Sequence, residues 1–544
     1  MGDSFMSSSA REPTGVEKGW EPADRPPLWF WLIPAALVLL RLLPVFWLQV
    51  SQPPENTAFI GLSYLPKDFL AYVAFIRQVP DDGAFVFANP FTTDPQAPRF
   101  ILLFHWLVGA FAKVSGVSPI TALEWSRVPL AFGFFAALWW FLRPFLPVRQ
   151  DRLWASVLAG FAGGFESWIQ LLAPKLPEDF AKPFTDNTWM LYGWNLFASF
   201  YNPLWMAALI IALVVLRPML TPDARGLPVL LRTGVMFVVL YGTHPYTAIA
   251  VAAIIAAFPV VTLAAGTRPD WRRHGTDALV IGGALIVILA LNRWQMQDPV
   301  YRASAGGLWG TQALSVFWYP ITLGVLGWLA VTGARRQMAE AHPGRFAIFA
   351  WIVAVIFLHT SPVLNGYKFV FLLHLPLCIL AAPVARNIFD AAREGGSRQR
   401  LMAAATAVGL FAAVAFQTGE SITFTRAVST VPADAMRVVK TLAQKPRGNV
   451  LAPRPLGNLV PAFTTHRVWA GQWFLTPNYE GRLAALDRLT SDPKLSDQLR
   501  ALINDQRIRY LVVPAARADM VAQELTGQVA ERLPHGAFEL LTLR

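Results

Sequence analysis

Residues 233–265 read TGVMFVVLYGTHPYTAIAVAAIIAAFPVVTLAA, an unbroken apolar run with His244-Pro245 at its middle. One helix of that length would extend about 50 Å, well beyond a hydrocarbon core of roughly 30 Å. Proline removes a helix hydrogen bond and favours a break where it stands. The run is therefore expected to be a hairpin of two short membrane helices meeting at His244. This reading fixes the topology of everything around it. The loops near 143–152, 217–232, 266–275, 335–345 and 386–400 each carry at least three arginines. They fall on one side of a membrane only if 233–265 turns back on itself. Arginine-rich short loops are cytoplasmic by the positive-inside rule, which puts the C-terminus outside.

Composition defines the class. Hydrophobic residues make up 55% of the 544, charged residues 15%, and mean hydropathy is +0.42. A soluble chain carries about 25% charged residues. The net charge of +12 resides largely in the arginine loops and requires no nucleic acid or other acidic partner. The single cysteine, Cys378, excludes an intramolecular disulfide. Residues 1–27 are polar and of mixed charge and read as a disordered cytoplasmic tail. The apolar stretch from Leu28 to Leu48 is too long for a signal-peptide core and reads as the first span.

Further apolar runs lie near 99–115, 128–146, 153–173, 194–216, 277–292, 314–332, 346–360, 367–385 and 401–417. If the N-terminus is cytoplasmic and 99–115 crosses, the arginines of 143–152 land on the wrong side. That segment is short and contains His105 and Lys113, so it is expected to lie in or on the outer leaflet without crossing. The result is about eleven spans over 28–417, with a first external loop at 50–127; an external N-terminus is the alternative. After residue 418 the character changes. PADAMRVVKTLAQ and PNYEGRLAALDRLT have helical spacing, and NVLAP and IRYLVVP read as buried strands. Residues 418–544 are expected to form a small extracytoplasmic α/β domain. The fold class expected is an α-helical polytopic membrane bundle carrying that domain.

Distinctive polar residues collect at the expected outer face. Asp68, in YLPKDFLAY, opens a helical stretch, and an N-cap is its plain structural role. The second external loop carries Glu178, Asp179, Asp186 and Asn187. His244 sits at the turn of the hairpin. Arg293, Asp298 and Arg302 follow another span, and outer-side arginines run against the charge bias. Lys368 begins a late helix, where snorkelling is the plain account. Cations at a lipid interface suit a phosphate, and a carboxylate suits a general base or a hard metal ion.

The chain resembles the GT-C superfamily of membrane glycosyltransferases. The likeness lies in the early aspartate of PKDFLAY within a long first external loop, followed by an in-plane helix. It continues through SRVPLAFGFFAALWWFL, the basic turn RPFLPVRQDRLWA, the late YKFVFLLHLPL helix and the tail NVLAPRPLGNLVPAFTTHRVWAGQWFLTPNYEGR. No DxD or ExD pair stands in the first loop, and no clear D-x-E in the second, where such enzymes place metal ligands. The resemblance implies transfer of a sugar from a polyprenyl-phosphate donor to a glycan, lipid or protein acceptor outside the inner (plasma) membrane. Asp68 would be the base, with Lys368, Arg302 and His244 on the donor phosphate, and Asp68 and Asp186 candidate ligands of a divalent metal ion. A non-catalytic transporter or polysaccharide-export partner is the competing class; buried mid-membrane acids would favour it.

Overall fold

The computed structural model describes residues 25–63, 66–165, 168–169, 172–177, 196–200, 202–221, 226–305, 319–339, 344–492 and 496–544. The expected tail lies almost wholly outside these residues, as do Glu178, Asp179, Asp186 and Asn187.

A helix occurs at every position where a span was expected. In chain order they are α1 (Leu32–Val50), α2 (Pro66–Asp82), α3 (Leu103–Ser115), α4 (Pro119–Trp125), α5 (Arg127–Leu142), α6 (Arg149–Phe161), α7 (Pro203–Leu220), α8 (Leu227–Thr243), α9 (Pro245–Ala264), α10 (Trp271–Gln295), α11 (Pro299–Ser304), α12 (Tyr319–Ala339), α13 (Arg345–Thr360), α14 (His374–Glu394) and α15 (Ser397–Val428). Among the described residues, seven are by themselves long and apolar enough to cross a membrane: Leu28–Val50, Pro119–Leu142, Pro203–Leu220, Pro245–Ala264, Trp271–Gln295, Val370–Glu394 and Ser397–Val428. Helices α6, α8, α12 and α13 complete the same core, through Leu158, Leu240, Leu329 and Ala347 among others.

The run at 233–265 divides where proline predicts. His244 is extended (φ −150°, ψ 95°), ending α8 and capping α9. The run at 153–173 ends earlier than its hydropathy implies. Helix α6 stops at Phe161, and the Gly163 amide leaves the helix to bond the Leu410 carbonyl of α15. Adjacent glycines favour such an exit because they gain least from staying helical.

The segment at 99–115 forms only the 13 residues of α3, about 20 Å and short of a bilayer core. Its buried face (Phe104, His105, Val108, Ala112) packs on α2, with Gly109 against Val79. Leu107, Phe111 and Val114 remain exposed on another face.

The C-terminal region is a five-stranded sheet in the order β4-β3-β5-β7-β6. Its strands are β3 (Asn449–Leu451), β4 (Arg467–Val468), β5 (Ile508–Pro514), β6 (Val529–His535) and β7 (Phe538–Leu543). The β3–β4 and β3–β5 pairs are parallel, and β7 pairs antiparallel with β5 and β6. The two segments read as strands became β3 and β5. The two read as helices are Ala433–Ala443 and Tyr479–Leu489.

Helix α15 runs to Val428, past the compositional change at 418, and delivers the chain to β2 (Thr430–Pro432). That strand pairs antiparallel with β1 (Thr57–Phe59) of the first loop. The first loop and the sheet region also share one core, in which Phe69, Phe75, Phe87 and Phe91 meet Val438, Val450, Leu459 and Tyr510. Two stretches nearly 400 residues apart thus form one body seated on one end of the bundle. That body is water-facing in the charge-based topology, so apolar burial there contributes about 1.5–3 kcal/mol per large side chain. Within lipid the bundle gains chiefly from packing instead.

Candidate active site

Three elements end at the junction between this body and the bundle. Asp68 belongs to the first turn of α2. It is the third helical residue, inside the helix rather than at its N-cap, so capping does not account for it. A carboxylate in a first turn is nonetheless favoured by the helix dipole. Asp68 Oδ1 accepts from Gln472 Nε2 of the sheet domain at 3.4 Å, and its charge couples to Lys368 and Tyr72.

Lys368 ends a short 3-10 turn (Gly366–Lys368) just before the span at Val370. Its Nζ donates to the Tyr246 hydroxyl at 2.9 Å and lies 4.3 Å from that ring's centroid. Burial lowers the ammonium to about 8, opposed by the Asp68 carboxylate. Tyr246 is contributed by the first turn of α9, next to His244 (ring centroids 5.7 Å apart). His244 Nδ1 meets Thr247 Oγ1 at 2.7 Å. Burial and nearby Lys368 lower its imidazole to about 3, so it is neutral. His244 therefore sits in the cluster as expected but brings hydrogen bonding rather than positive charge.

Residues not singled out by sequence complete the wall. Tyr72, one turn after Asp68, lies 3.3 Å from Asn202 Nδ2 through its hydroxyl and edge-on to His105 at 4.8 Å. Burial and the Asp68 carboxylate push the Tyr72 hydroxyl up, keeping it protonated. Asn202 Oδ1 caps α7 by accepting from Leu204 N at 3.1 Å. Trp205, within the first turn of α7, stacks on Phe371 at 4.9 Å. The i, i+4 spacing of Asp68 and Tyr72 and the Asn-Pro start of α7 were visible in sequence; nothing marked Gln472.

Beneath Asp68, Glu124 accepts from Ser63 N (3.3 Å) and Ser63 Oγ (2.9 Å) and pairs with Arg127. All three are buried. The Arg127 guanidinium lies 5.6 Å from the ring centroid of Phe69, the residue after Asp68. This network ties the entry to α2 to the start of α5.

Arg302 is placed differently. It is exposed on α11 and donates through Nε and Nη2 to the Met296 carbonyl at 3.2 and 3.0 Å. Its helix touches the Gln472 loop through Ser304 Oγ, 3.4 Å from the Leu475 carbonyl. Among the described contacts, none joins Arg302 to Lys368. The starts of α7 and α9 lie near Lys368, through Trp205 on Phe371 and Tyr246 on Lys368, so their dipoles and the ammonium give one anion-favouring corner.

This architecture, a helical bundle whose first long loop and C-terminal sheet domain share one core, is the fold of the GT-C membrane glycosyltransferases. The protein is a multi-pass membrane protein. No family model matches the sequence, and no curated protein matches it significantly. Solved structures match its fold. The apo oligosaccharyltransferase of Archaeoglobus fulgidus matches with a TM-score of 0.54 at 10% identity, over 95% of this chain and 74% of that one. ArnT from Cupriavidus metallidurans bound to undecaprenyl phosphate gives 0.52 at 14%, over 94% and 97%. The arabinofuranosyltransferase AftD from Mycobacteria gives 0.54 at 17%, over 94% of this chain and 41% of that one.

Proposed function

We propose that the chain is a glycosyltransferase that moves a hexosyl or pentosyl group from a polyprenyl-phosphate donor to an extracytoplasmic acceptor, inverting the anomeric carbon. The observation that carries this reading is the convergence of α2, α7, α9 and the Lys368 turn. Tyr72, one turn after Asp68, lies 3.3 Å from Asn202 at the start of α7, whose Trp205 stacks on Phe371, and Lys368 Nζ lies 2.9 Å from the Tyr246 hydroxyl at the start of α9. That junction offers a base and a phosphate-holding cation on neighbouring elements. ArnT, which shares the fold, holds undecaprenyl phosphate in its structure, and such a lipid suits a cationic corner beside the aromatic side chains of Trp205, Phe371 and Tyr246.

In the reaction, Asp68 takes the proton of the acceptor hydroxyl, whose oxygen attacks the anomeric carbon from the face opposite the phosphate. The bond from that carbon to the phosphate oxygen breaks, and its electron pair leaves on the lipid phosphate. Lys368 and the two helix N-termini stabilise that developing charge. His244 holds its neighbours as a neutral imidazole. Arg302, whose guanidinium bonds the Met296 carbonyl, contributes less.

An oligosaccharyltransferase of this fold has been crystallised with zinc and sulfate. Among the described residues here, no three His, Cys, Asp or Glu side chains gather to hold an ion. Asp186, the other candidate ligand, lies outside the described residues, and no step passes through a metal. The arginine asymmetry supports a sheet domain on the outer side of the inner membrane.

The test is Asp68→Asn in purified protein, followed by release of polyprenyl phosphate from its sugar-loaded form. A general base contributes about 10²–10⁴-fold. A well-folded Asn variant with near-normal turnover would remove Asp68 from the chemistry.

A further inference from the structure

Resting on the transferase reading, we propose that Trp473 is the platform of an acceptor subsite and that the acceptor is a saccharide. The residue stands in a loop otherwise held rigidly inside the protein. Of residues 469–476, Trp469, Ala470, Gly471, Gln472, Leu475 and Thr476 are buried and Phe474 is half-buried, while Trp473 is 61% exposed.

The loop is fixed by its own hydrogen bonds. Thr476 Oγ1 accepts from Gly471 N at 3.0 Å and donates to the Phe91 carbonyl at 2.7 Å. Asn89 Nδ2 donates to the Leu475 carbonyl at 2.6 Å. A Cβ on Gly471 would collide with the Gly457 carbonyl and the Phe91 ring. Exposing a large indole from so constrained a loop forgoes apolar burial, without any gain in mobility to explain it.

Its position supplies the explanation. Gln472 uses both ends of its amide: Oε1 accepts from Trp473 N at 3.2 Å, and Nε2 donates to Asp68 at 3.4 Å. The Trp473 backbone therefore lies within about 9 Å of the proposed base, roughly one sugar ring plus a hydroxyl. A sugar ring presents a face of C–H groups that stacks on a flat π-system, while its hydroxyls point outward to polar partners. A ring seated on Trp473 can turn one hydroxyl toward Asp68. A peptide or a lipid headgroup gains no comparable match from a single exposed indole. The plain alternative is an interfacial anchor, since tryptophan is enriched where membrane meets water.

The experiment measures binding of full-length detergent-solubilised protein to a printed array of gluco-, manno-, galacto- and arabino-oligosaccharides. Undecaprenyl phosphate binding is measured in parallel. The parent should bind at least one saccharide series. Trp473→Leu, which keeps apolar bulk but loses the flat ring, should lose tenfold or more, and Trp473→Phe less than threefold. Both variants should bind undecaprenyl phosphate as the parent does, which also reports that they fold. Saccharide binding unchanged in Trp473→Leu would make the residue an anchor and overturn the proposal. A parent that binds the lipid phosphate but no saccharide would also overturn it while leaving the transferase reading standing. A parent that binds neither would remove both.

Discussion

Gln472 and Asp68 lie 404 positions apart in sequence, and the amide of one donates to the carboxylate of the other at 3.4 Å. That bond joins the sheet domain to the first long loop at the point where the chemistry is proposed to occur. The sheet domain is thereby part of the site's wall as well as a partner in its core.

Gln472→Glu should set a second carboxylate beside Asp68 and raise its pKa by like-charge repulsion. The pH profile of kcat/KM should then move its acidic limb upward by about one unit. Gln472→Leu, which removes the amide donor to the carboxylate, should shift the limb the same way but less, and lower turnover about tenfold. An unmoved limb in the Glu variant would separate Gln472 from the base.

Lys368 gives a second pH dependence. Burial holds its ammonium near 8, and the charged form is the one that binds phosphate. Affinity for undecaprenyl phosphate should be full below that value and fall as pH rises through it. The window from about 7.5 to 9.5 avoids the phosphate's own titration near 6. Lys368→Arg, charged throughout because its pKa exceeds 12, should flatten the profile. Calorimetry at pH 9 in two buffers should detect proton uptake on binding by the parent only.

The bundle was legible because hydropathy and arginine placement are properties of single segments. Proline at 245 marked the break that the backbone of His244 makes. The early end of α6 was not legible, because a tertiary bond from Gly163 to Leu410 enforces it. Of the candidate site, Asp68, His244 and Lys368 are legible as polar residues at apolar boundaries, and the fold gathers Lys368 and His244 around Tyr246. Arg302 fitted the same rule, yet its guanidinium turns to its own chain at Met296. Gln472 and Trp473 lay in a tail with no local signal, and only the core shared with the first loop brings them near Asp68.

The buried Glu124–Arg127 pair gives a stability prediction. Glu124→Gln leaves the Arg127 charge buried against a neutral partner and weakens the bonds from Ser63. Breaking a buried pair from one side costs about 3–5 kcal/mol. The melting temperature in detergent should drop by several degrees, and turnover should fall with the displacement of α2. Glu124→Asp should recover part of both. Unaltered melting in the Gln variant would show that the pair is not structural.

The common core of the first loop and the sheet domain requires both to lie on one side of the membrane. In a Cys378→Ser background, single cysteines at Ser118 and at Asp519 should react with an impermeant maleimide in intact cells. Labelling of one position intact and of the other only after permeabilisation would break the shared-body topology.

The central claim is that the donor's phosphate rests on Lys368, opposite Asp68. The most direct test is undecaprenyl phosphate affinity of Lys368→Met and Arg302→Met against the parent, at fixed detergent, salt and pH 7.5. A charged hydrogen bond contributes about 1.5–3 kcal/mol, and tenfold in Kd corresponds to about 1.4 kcal/mol. Lys368→Met should therefore weaken binding tenfold or more with folding intact, and Arg302→Met less than threefold. Parent-like affinity in a folded Lys368→Met variant would contradict the account and move the donor site elsewhere.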